Sequence, residues 1–96
     1  MKLLMIVVSS DHKDDVERIL DAEAHAGYSE VPTVLGKGRS GKKKGNRAFP
    51  GSSTLYFTAI EGDTCEGLCD ELQSLRDKAG PEEGLRVFTL EAEMVL

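Results

Sequence analysis

The segment KLLMIVV at residues 2–8 is apolar at odd and even positions alike, which predicts a β-strand covered on both of its faces. A polar turn ends this strand. Apolar residues at helical spacing between Val16 and Ala26 then predict an amphipathic helix that ends at Gly27. This helix supplies a layer for one face of the strand, so the other face needs a second cover.

The rest of the chain alternates in the same way. Residues 29–37 predict a second strand, and Pro32 places it at a sheet edge or a bulge because proline has no N–H. Residues 38–52 are rich in glycine and lack periodicity, which predicts a long flexible loop. A strand over 54–60, a second helix and an alternating last strand that reaches Leu96 follow. The second helix carries the apolar stripe Cys65, Leu68, Cys69, Leu72 and Leu75.

This order of elements predicts an α+β fold, the ferredoxin-like βαββαβ sandwich, in which a four-stranded antiparallel sheet carries two helices on one face. We expect residues 1–96 to form a single domain, with the long loop between its second and third strands. The fold leaves the second sheet face uncovered, yet the first and third strands are apolar at both parities. An apolar open face predicts that another copy of the chain covers it.

The charge of the chain is unevenly distributed. Twelve lysines and arginines stand against 17 aspartates and glutamates, a net charge of −5. Half of the basic residues lie between Lys37 and Arg47, a stretch without any acid, so the protein is an acidic body with one basic loop. The acidic total argues against a nucleic-acid partner, and Phe49 is the only ring in the loop, whereas single-strand binding proteins use aromatic platforms.

The apolar segments are short. The longest strongly apolar run, residues 3–8, falls far short of the ~20 residues that a membrane span needs, so we expect no membrane insertion. The sequence that follows it turns polar at once, unlike a signal peptide. Two cysteines without an export signal fit a reducing compartment. We therefore expect a cytoplasmic location.

The basic loop opens with the motif Gly36-Lys37-Gly38-Arg39. Its glycines let a ligand approach the backbone, and its cations can neutralise phosphate. The motif is not a Walker A loop, because no Gly-Lys-Ser/Thr follows and no helix begins there. A solvated hairpin loop explains the same residues, and both interpretations stay open. The sequence offers no defensible Ser-His-Asp or Cys-His arrangement, so we expect no enzymatic activity.

Cys65 and Cys69 lie four residues apart on the second helix and therefore face the same way. This spacing fits a metal pair as well as a core stripe. A tetrahedral zinc site needs two further ligands, and nothing in the sequence places a histidine beside the pair. Since cysteine is among the most often buried residue types, core packing is the favoured interpretation.

The stretch Val31-Pro-Thr-Val-Leu-Gly-Lys-Gly-Arg39, the loop after it and the return strand 54–58 resemble the PII-like signalling proteins, which include the nitrogen regulatory protein P-II. The Gly-x-Gly-Arg of residues 36–39 matches the start of that family's T-loop. The resemblance implies a homotrimer with its sheets packed inward. It also implies an adenine nucleotide as effector in clefts between subunits, no required cofactor, and a T-loop over 38–52 that docks on a regulated enzyme or transporter.

Together, the motif and the resemblance single out two sets of residues. Ligand binding falls to Gly36, Lys37, Gly38, Arg39, Gly84 and Arg86, and partner binding to Lys42, Lys43, Lys44, Arg47 and Phe49. The family's nucleotide-binding signature Thr-Gly-x-x-Gly-Asp-Gly-Lys is replaced by Ala-Gly-Pro-Glu-Glu-Gly-Leu-Arg at 79–86, where Gly84 and Arg86 correspond. Glu30 stands where standard members have a threonine, and residues 37–52 contain no tyrosine. The alternative function is metal binding or metal tolerance through Cys65 and Cys69, since CutA proteins share the trimeric architecture.

Overall fold

The main sheet of this protein is built from four strands that alternate along the chain with two helices. The computed structural model describes residues 1–23, 27–38, 41–43, 52–80 and 84–96. Along the chain, its elements are β1 (Lys2–Ser9), α1 (Lys13–Glu23), β2 (Ser29–Val34), β3 (Gly36–Gly38), β4 (Gly41–Lys43), β5 (Ser53–Ile60), α2 (Gly62–Ala79) and β6 (Arg86–Glu91). A short 3₁₀ turn, Ser10–His12, joins β1 to α1.

The four long strands form an antiparallel sheet in the order β2-β5-β1-β6, with β3 and β4 paired in a separate two-stranded sheet. Both helices pack on one face of the main sheet and contact each other. The predicted ferredoxin-like fold is therefore confirmed. Neither of the two helices described is apolar enough over a sufficient length to cross a membrane.

The core lies between β1 and the helices. β1 pairs with β5 on one side and with β6 on the other, which leaves only its two faces for side-chain packing. Leu4, Ile6 and Val8 are at most 1 % exposed and belong to one buried cluster. Leu20 of α1 and Leu68 of α2 complete this cluster from the helical layer, so the even positions of β1 form the hydrophobic core.

The odd positions of β1 lie on the opposite face of the sheet, which no element of the described chain covers. Phe57 is 38 % exposed and Phe88 is 52 % exposed. Contiguous exposed apolar surfaces mark interaction sites or ligand-binding grooves. The cross-strand rows of this face are Leu90-Leu3-Ala59, Phe88-Met5-Phe57 and Arg86-Val7-Leu55.

β2 is shorter than the sequence predicted, and it is irregular. Its register against β5 shifts between Val31 and Val34. Pro32 lies inside this shift and cannot donate a ladder hydrogen bond, so the predicted edge position and bulge are both confirmed. The strand stops at Val34 and does not continue to residue 37.

The last strand also ends early: the prediction that it reaches Leu96 is wrong. β6 stops at Glu91 because its neighbour β1 begins at Lys2, directly opposite. One further backbone bond joins the Ala92 N–H to the Met1 carbonyl at 3.0 Å. The Lys2 ammonium lies 2.8 Å from the Glu91 carboxylate, and this exposed pair holds the pKa of Glu91 below its ordinary value.

We expect Leu68→Ala to lower the free energy of unfolding by about 2–5 kcal/mol, because the side chain is fully buried and its removal leaves a cavity. Leu35→Ala makes the same chemical change at a side chain that is 65 % exposed and should cost less than about 0.5 kcal/mol. Urea titrations of both variants measure the difference. Equal losses would show that the helical layer does not form the core.

Candidate functional site

Gly36 and Arg86, two of the residues predicted to bind a ligand, lie at one end of the main sheet. At this end, β1 and β2 finish, and β5 and β6 begin. Ser9 of β1 lies opposite Ser53 of β5, and Val34 of β2 also lies opposite Ser53. Arg86, the first residue of β6, has crossed to this end and lies opposite Val7. We call this end of the sheet the loop end, because the basic segment begins after β2 and rejoins the sheet at β5 here.

The basic segment begins as a strand pair. β3 and β4 place Gly36 opposite Lys43 and Lys37 opposite Lys42. Residues 41–43 form a strand that pairs with β3, so this part of the predicted flexible loop has regular structure, and the periodicity gave no signal for this pairing. Of the other residues predicted here, Arg39, Lys44, Arg47 and Phe49 lie outside the described residues.

A chain of three hydroxyl groups closes the base of this segment. Ser10 Oγ lies 3.2 Å from Ser52 Oγ and 3.0 Å from Thr54 Oγ1. The Thr54 hydroxyl donates to the Pro32 carbonyl at 3.2 Å. Each hydroxyl has one proton, so Ser10 must donate to Thr54 and accept from Ser52. The chain ties the strand before the segment and the strand after it to the turn that follows β1, and sequence analysis did not identify it.

Gly84 and Arg86 lie at the opposite edge of the sheet, where the chain enters β6 after α2. Gly84 has a φ of 78°, in the left-handed region that glycine tolerates best. This backbone conformation explains a glycine at position 84 with or without a ligand. Leu85 is buried in the core and fixes the start of β6, so Arg86 emerges at a defined place on the edge of the sheet.

Arg86 lines a groove of about 550 Å³ between α2 and the edge strand β6. Two further polar residues of this groove, Gln73 and Arg76, lie on α2 and were not predicted from the sequence. Arg76 is exposed and makes no ion pair with any residue that the structure describes. The Gln73 amide donates to Asp77 at 3.0 Å. The residues that line the groove are Cys69, Leu72, Gln73, Arg76, Leu85, Arg86, Val87, Phe88 and Thr89.

Within one chain, the two halves of the predicted ligand site are apart. Gly36 follows β2, and Arg86 begins β6, and these strands are the two edges of the sheet, with β5 and β1 between them. Three strand spacings of about 4.8 Å separate the edges by roughly 14 Å. The structure thus brings both halves to the same end of the sheet without bringing them together.

Glu30 of β2, which replaces the family's threonine, is engaged within its own chain. Its carboxylate accepts a hydrogen bond from the Lys13 ammonium at 3.2 Å, and this contact raises the pKa of Lys13. Lys13 also lies 3.6 Å from Glu17. The hydroxyl of the buried Tyr56 donates to Glu17 at 2.6 Å; burial first, and this bond second, hold the pKa of Tyr56 far above its ordinary value.

The two cysteines occupy the position that core packing predicts. Cys65 is 7 % exposed and belongs to the core cluster, and Cys69 is half-buried beside it. Burial raises the pKa of Cys69, and the neighbouring Cys65 raises it further. A raised pKa keeps a thiol protonated, and metals bind the thiolate. Among the residues that the structure describes, no group of three potential ligands surrounds a metal position.

The architecture is that of a ferredoxin-like sandwich whose long connection between two strands carries the basic residues. CPII, a nitrogen regulatory PII-like protein from Thiomonas intermedia K12 bound to ADP, AMP and bicarbonate, superposes with a TM-score of 0.75 at 22 % identity, over 93 % of this chain and 82 % of that chain. Its apo form gives 0.70 at 19 % identity, over 93 % and 85 %. A Thermus thermophilus protein assigned to PII-like signalling gives 0.61 at 16 % identity, over 93 % and 83 %.

No protein-family model and no curated protein matches the sequence. At identities of 16–22 %, the superpositions establish the fold. This chain has the fold of the PII-like proteins, and the resemblance predicted from its sequence is confirmed at that level.

We expect Thr54→Val to lower the free energy of unfolding by about 1–3 kcal/mol, because it removes the donor to the Pro32 carbonyl and the acceptor for Ser10. Thr33→Val makes the same change at an exposed threonine of β2 and should cost less than about 0.5 kcal/mol. Urea unfolding measures both. A neutral Thr54→Val variant would show that the hydroxyl chain does not hold the strands together.

The thiols should resist alkylation in the folded protein. At pH 7.5 we expect iodoacetamide to leave Cys65 unmodified and to modify Cys69 more slowly than a free cysteine, because the pKa of Cys69 lies above its ordinary value of 9.0. Labelling of Cys69 should accelerate as the pH rises through that pKa, since the thiolate then forms. Mass spectrometry identifies the sites, with urea-unfolded protein as the control. Rapid modification of both thiols at pH 7.5 would contradict the core assignment and favour the metal-binding alternative.

Proposed function

We propose that this protein is a PII-like regulatory protein, not an enzyme, that binds a small anionic effector between subunits and controls a partner protein through its basic loop. The observation that carries the proposal is the separation of the two half-sites. Gly36 and Arg86 lie at the same end of the sheet but at opposite edges, which favours a site that takes one half from each of two chains.

Such a contact requires a head-to-tail arrangement. The β2 edge of one chain faces the β6 edge of the next, and a heterologous contact of this kind is satisfied in every subunit only when the ring closes. The uncovered apolar face supports the same assembly, because a ring of three sheets packed inward removes that face from water. We therefore propose a homotrimer with three equivalent effector sites.

An adenine nucleotide is the effector that we propose. The CPII structures contain ADP, AMP and bicarbonate, which are anions of the kind that the predicted residues suit. Gly36 and Gly38 would let phosphate oxygens reach backbone N–H groups, and Arg39 and Arg86 would supply charge-assisted hydrogen bonds. One buried cluster joins the sheet and both helices within a single chain, which supports a regulatory role for the nucleotide instead of a structural one.

We propose that the basic loop binds the partner protein. Effector binding at its base would favour one arrangement of the segment over others, which is the way a ligand shifts a conformational equilibrium. The positive charge of the loop suits an acidic docking surface on a cytoplasmic enzyme or transporter. The residues that would contact this surface are Lys42, Lys43, Lys44, Arg47 and Phe49.

A subunit-mixing experiment tests the split site. We expect Arg39→Ala and Arg86→Gln each to abolish measurable ADP binding in calorimetry. When the two variants are unfolded together and refolded at equal amounts, each interface combines two chains, and about one quarter of them pair an intact Arg39 with an intact Arg86. Binding should therefore return to about one quarter of the wild-type site number.

The control is a mixture of each variant with itself, which should stay inactive. A mixed sample without any binding would place both arginines in the same chain's site and contradict the split arrangement. Absence of ADP and AMP binding by the wild-type protein would contradict the proposed effector.

A further inference from the structure

The groove between α2 and β6 is open at an edge of the sheet. Its volume of about 550 Å³ lies within the range of about 300–1,000 Å³ typical of small-molecule sites. β6 is an edge strand, so no other strand of the described chain closes this side. In the ring proposed above, the β2 edge of the next chain would form the missing wall.

The described residues that line the groove carry positive charge in an acidic protein. Arg76 and Arg86 line it, and no acidic side chain is among its described lining residues, although the chain carries a net charge of −5. The arginine of α1 differs from Arg76: the Arg18 guanidinium donates to Asp15, one turn earlier, at 2.9 Å. The residues three and four positions from Arg76 along the chain are Leu72, Gln73, Ala79 and Gly80. Among the residues that the structure describes, none of these carries an acid that could pair with Arg76.

The rest of the groove is suited to an apolar group. Leu72 and Leu85 form a buried floor, at 1 % and 5 % exposure. Phe88 also contributes to the edge of the groove, but its side chain lies on the open face of the sheet beside Met5. A ligand that fits the arginines and this floor has an anionic end and a mostly apolar body.

The two arginines lie at one end of the groove, and Cys69 and Thr89 lie at the other end. Arg86 opens β6 at the loop end of the sheet, and Arg76 lies in the last turn of α2. Cys69 lies about two helical turns before Arg76, and Thr89 lies farther along β6 than Arg86. The groove therefore runs from a cationic end at the loop to a thiol and a hydroxyl at its far end.

We propose that Arg76 is a further effector-binding residue, which holds the phosphate of a nucleotide together with Arg86 while the base extends along β6 towards Cys69. This inference rests on the proposed function and adds to it the orientation of the ligand and a binding residue on α2. A guanidinium suits the role because it offers planar, paired donors to phosphate and stays charged at every physiological pH.

Arg76→Gln tests the assignment. We expect it to weaken ADP and AMP binding by about ten- to a hundredfold in calorimetry, the size of a lost charge-assisted hydrogen bond. Arg76→Lys should recover part of the loss. Lys78→Gln is the matched control, because it removes the same charge two residues away on α2 from a side chain that lines the separate cleft between the helices. The affinity of the Lys78→Gln variant for ADP and AMP should stay within about twofold of wild type, because exposed charges outside the site contribute little.

The outcomes separate the two proposals. Equal losses in Arg76→Gln and Lys78→Gln would indicate a general charge effect and overturn the role of Arg76. The role of Arg76 would also be overturned if Arg76→Gln bound ADP as tightly as wild type while Arg86→Gln did not bind it. This result would leave the proposed function standing. A wild-type protein that binds neither nucleotide would overturn both. Thermal melts without ligand should be alike for wild type and both Gln variants, because both side chains are exposed.

Alkylation of Cys69 tests the proposed orientation of the nucleotide in the groove. Cys69 lies in the groove and Cys65 is buried, so the rate of Cys69 alkylation at pH 8.5 reports occupation of the far end. ADP and AMP should slow this labelling at least about fivefold, at concentrations well above the dissociation constant. Inorganic phosphate should compete with ADP but leave the labelling rate unchanged, because it reaches only the arginines. Protection by phosphate alone, or no protection by saturating ADP, would overturn the orientation.

Discussion

The pairing of β1 on both sides is the constraint on which the rest of this structure depends. Because β5 and β6 flank β1, the even side chains of β1 must meet the helices and the odd ones must lie on the open face. Both sets are apolar. The chain can bury one set by itself with α1 and α2, whereas water exclusion from the other set needs a second molecule. Folding and the assembly that we propose would thus be linked through a single strand.

The same pairing determines where the two halves of the predicted ligand site lie. With β5 and β1 in the middle, β2 and β6 become the edges, and antiparallel order brings the end of β2 and the start of β6 to the same end of the sheet. The basic segment therefore leaves from one edge, and Arg86 emerges at the other. Gly36 and Arg86 lie at opposite edges in their own chain, so in the proposed ring their cooperation would depend on the contact between neighbouring chains.

Sequence periodicity predicted the element order, the bulge at Pro32 and the two faces of β1, because these features depend on side-chain pattern and local chemistry. It could not predict that β6 ends at Glu91, since that limit is set by where β1 begins. Arg76 was missed for a related reason: a helix with acids and bases on its surface is typical of a solvated face. Its only sequence signal is the lack of an acid one turn away, and this signal gains meaning only beside Arg86 in the folded groove.

The contacts of Glu30 show how an acidic chain can keep an anion site available. Glu30 lies on β2, the edge that would face the groove of the next chain in the proposed ring. A carboxylate free at that edge would pair with the arginines of the groove and occupy the place of a phosphate. Lys13 holds it instead, at 3.2 Å. An internal ion pair this exposed adds little stability, so its larger effect would be on binding: it neutralises the one acid of β2 and leaves the arginine pair to an external anion.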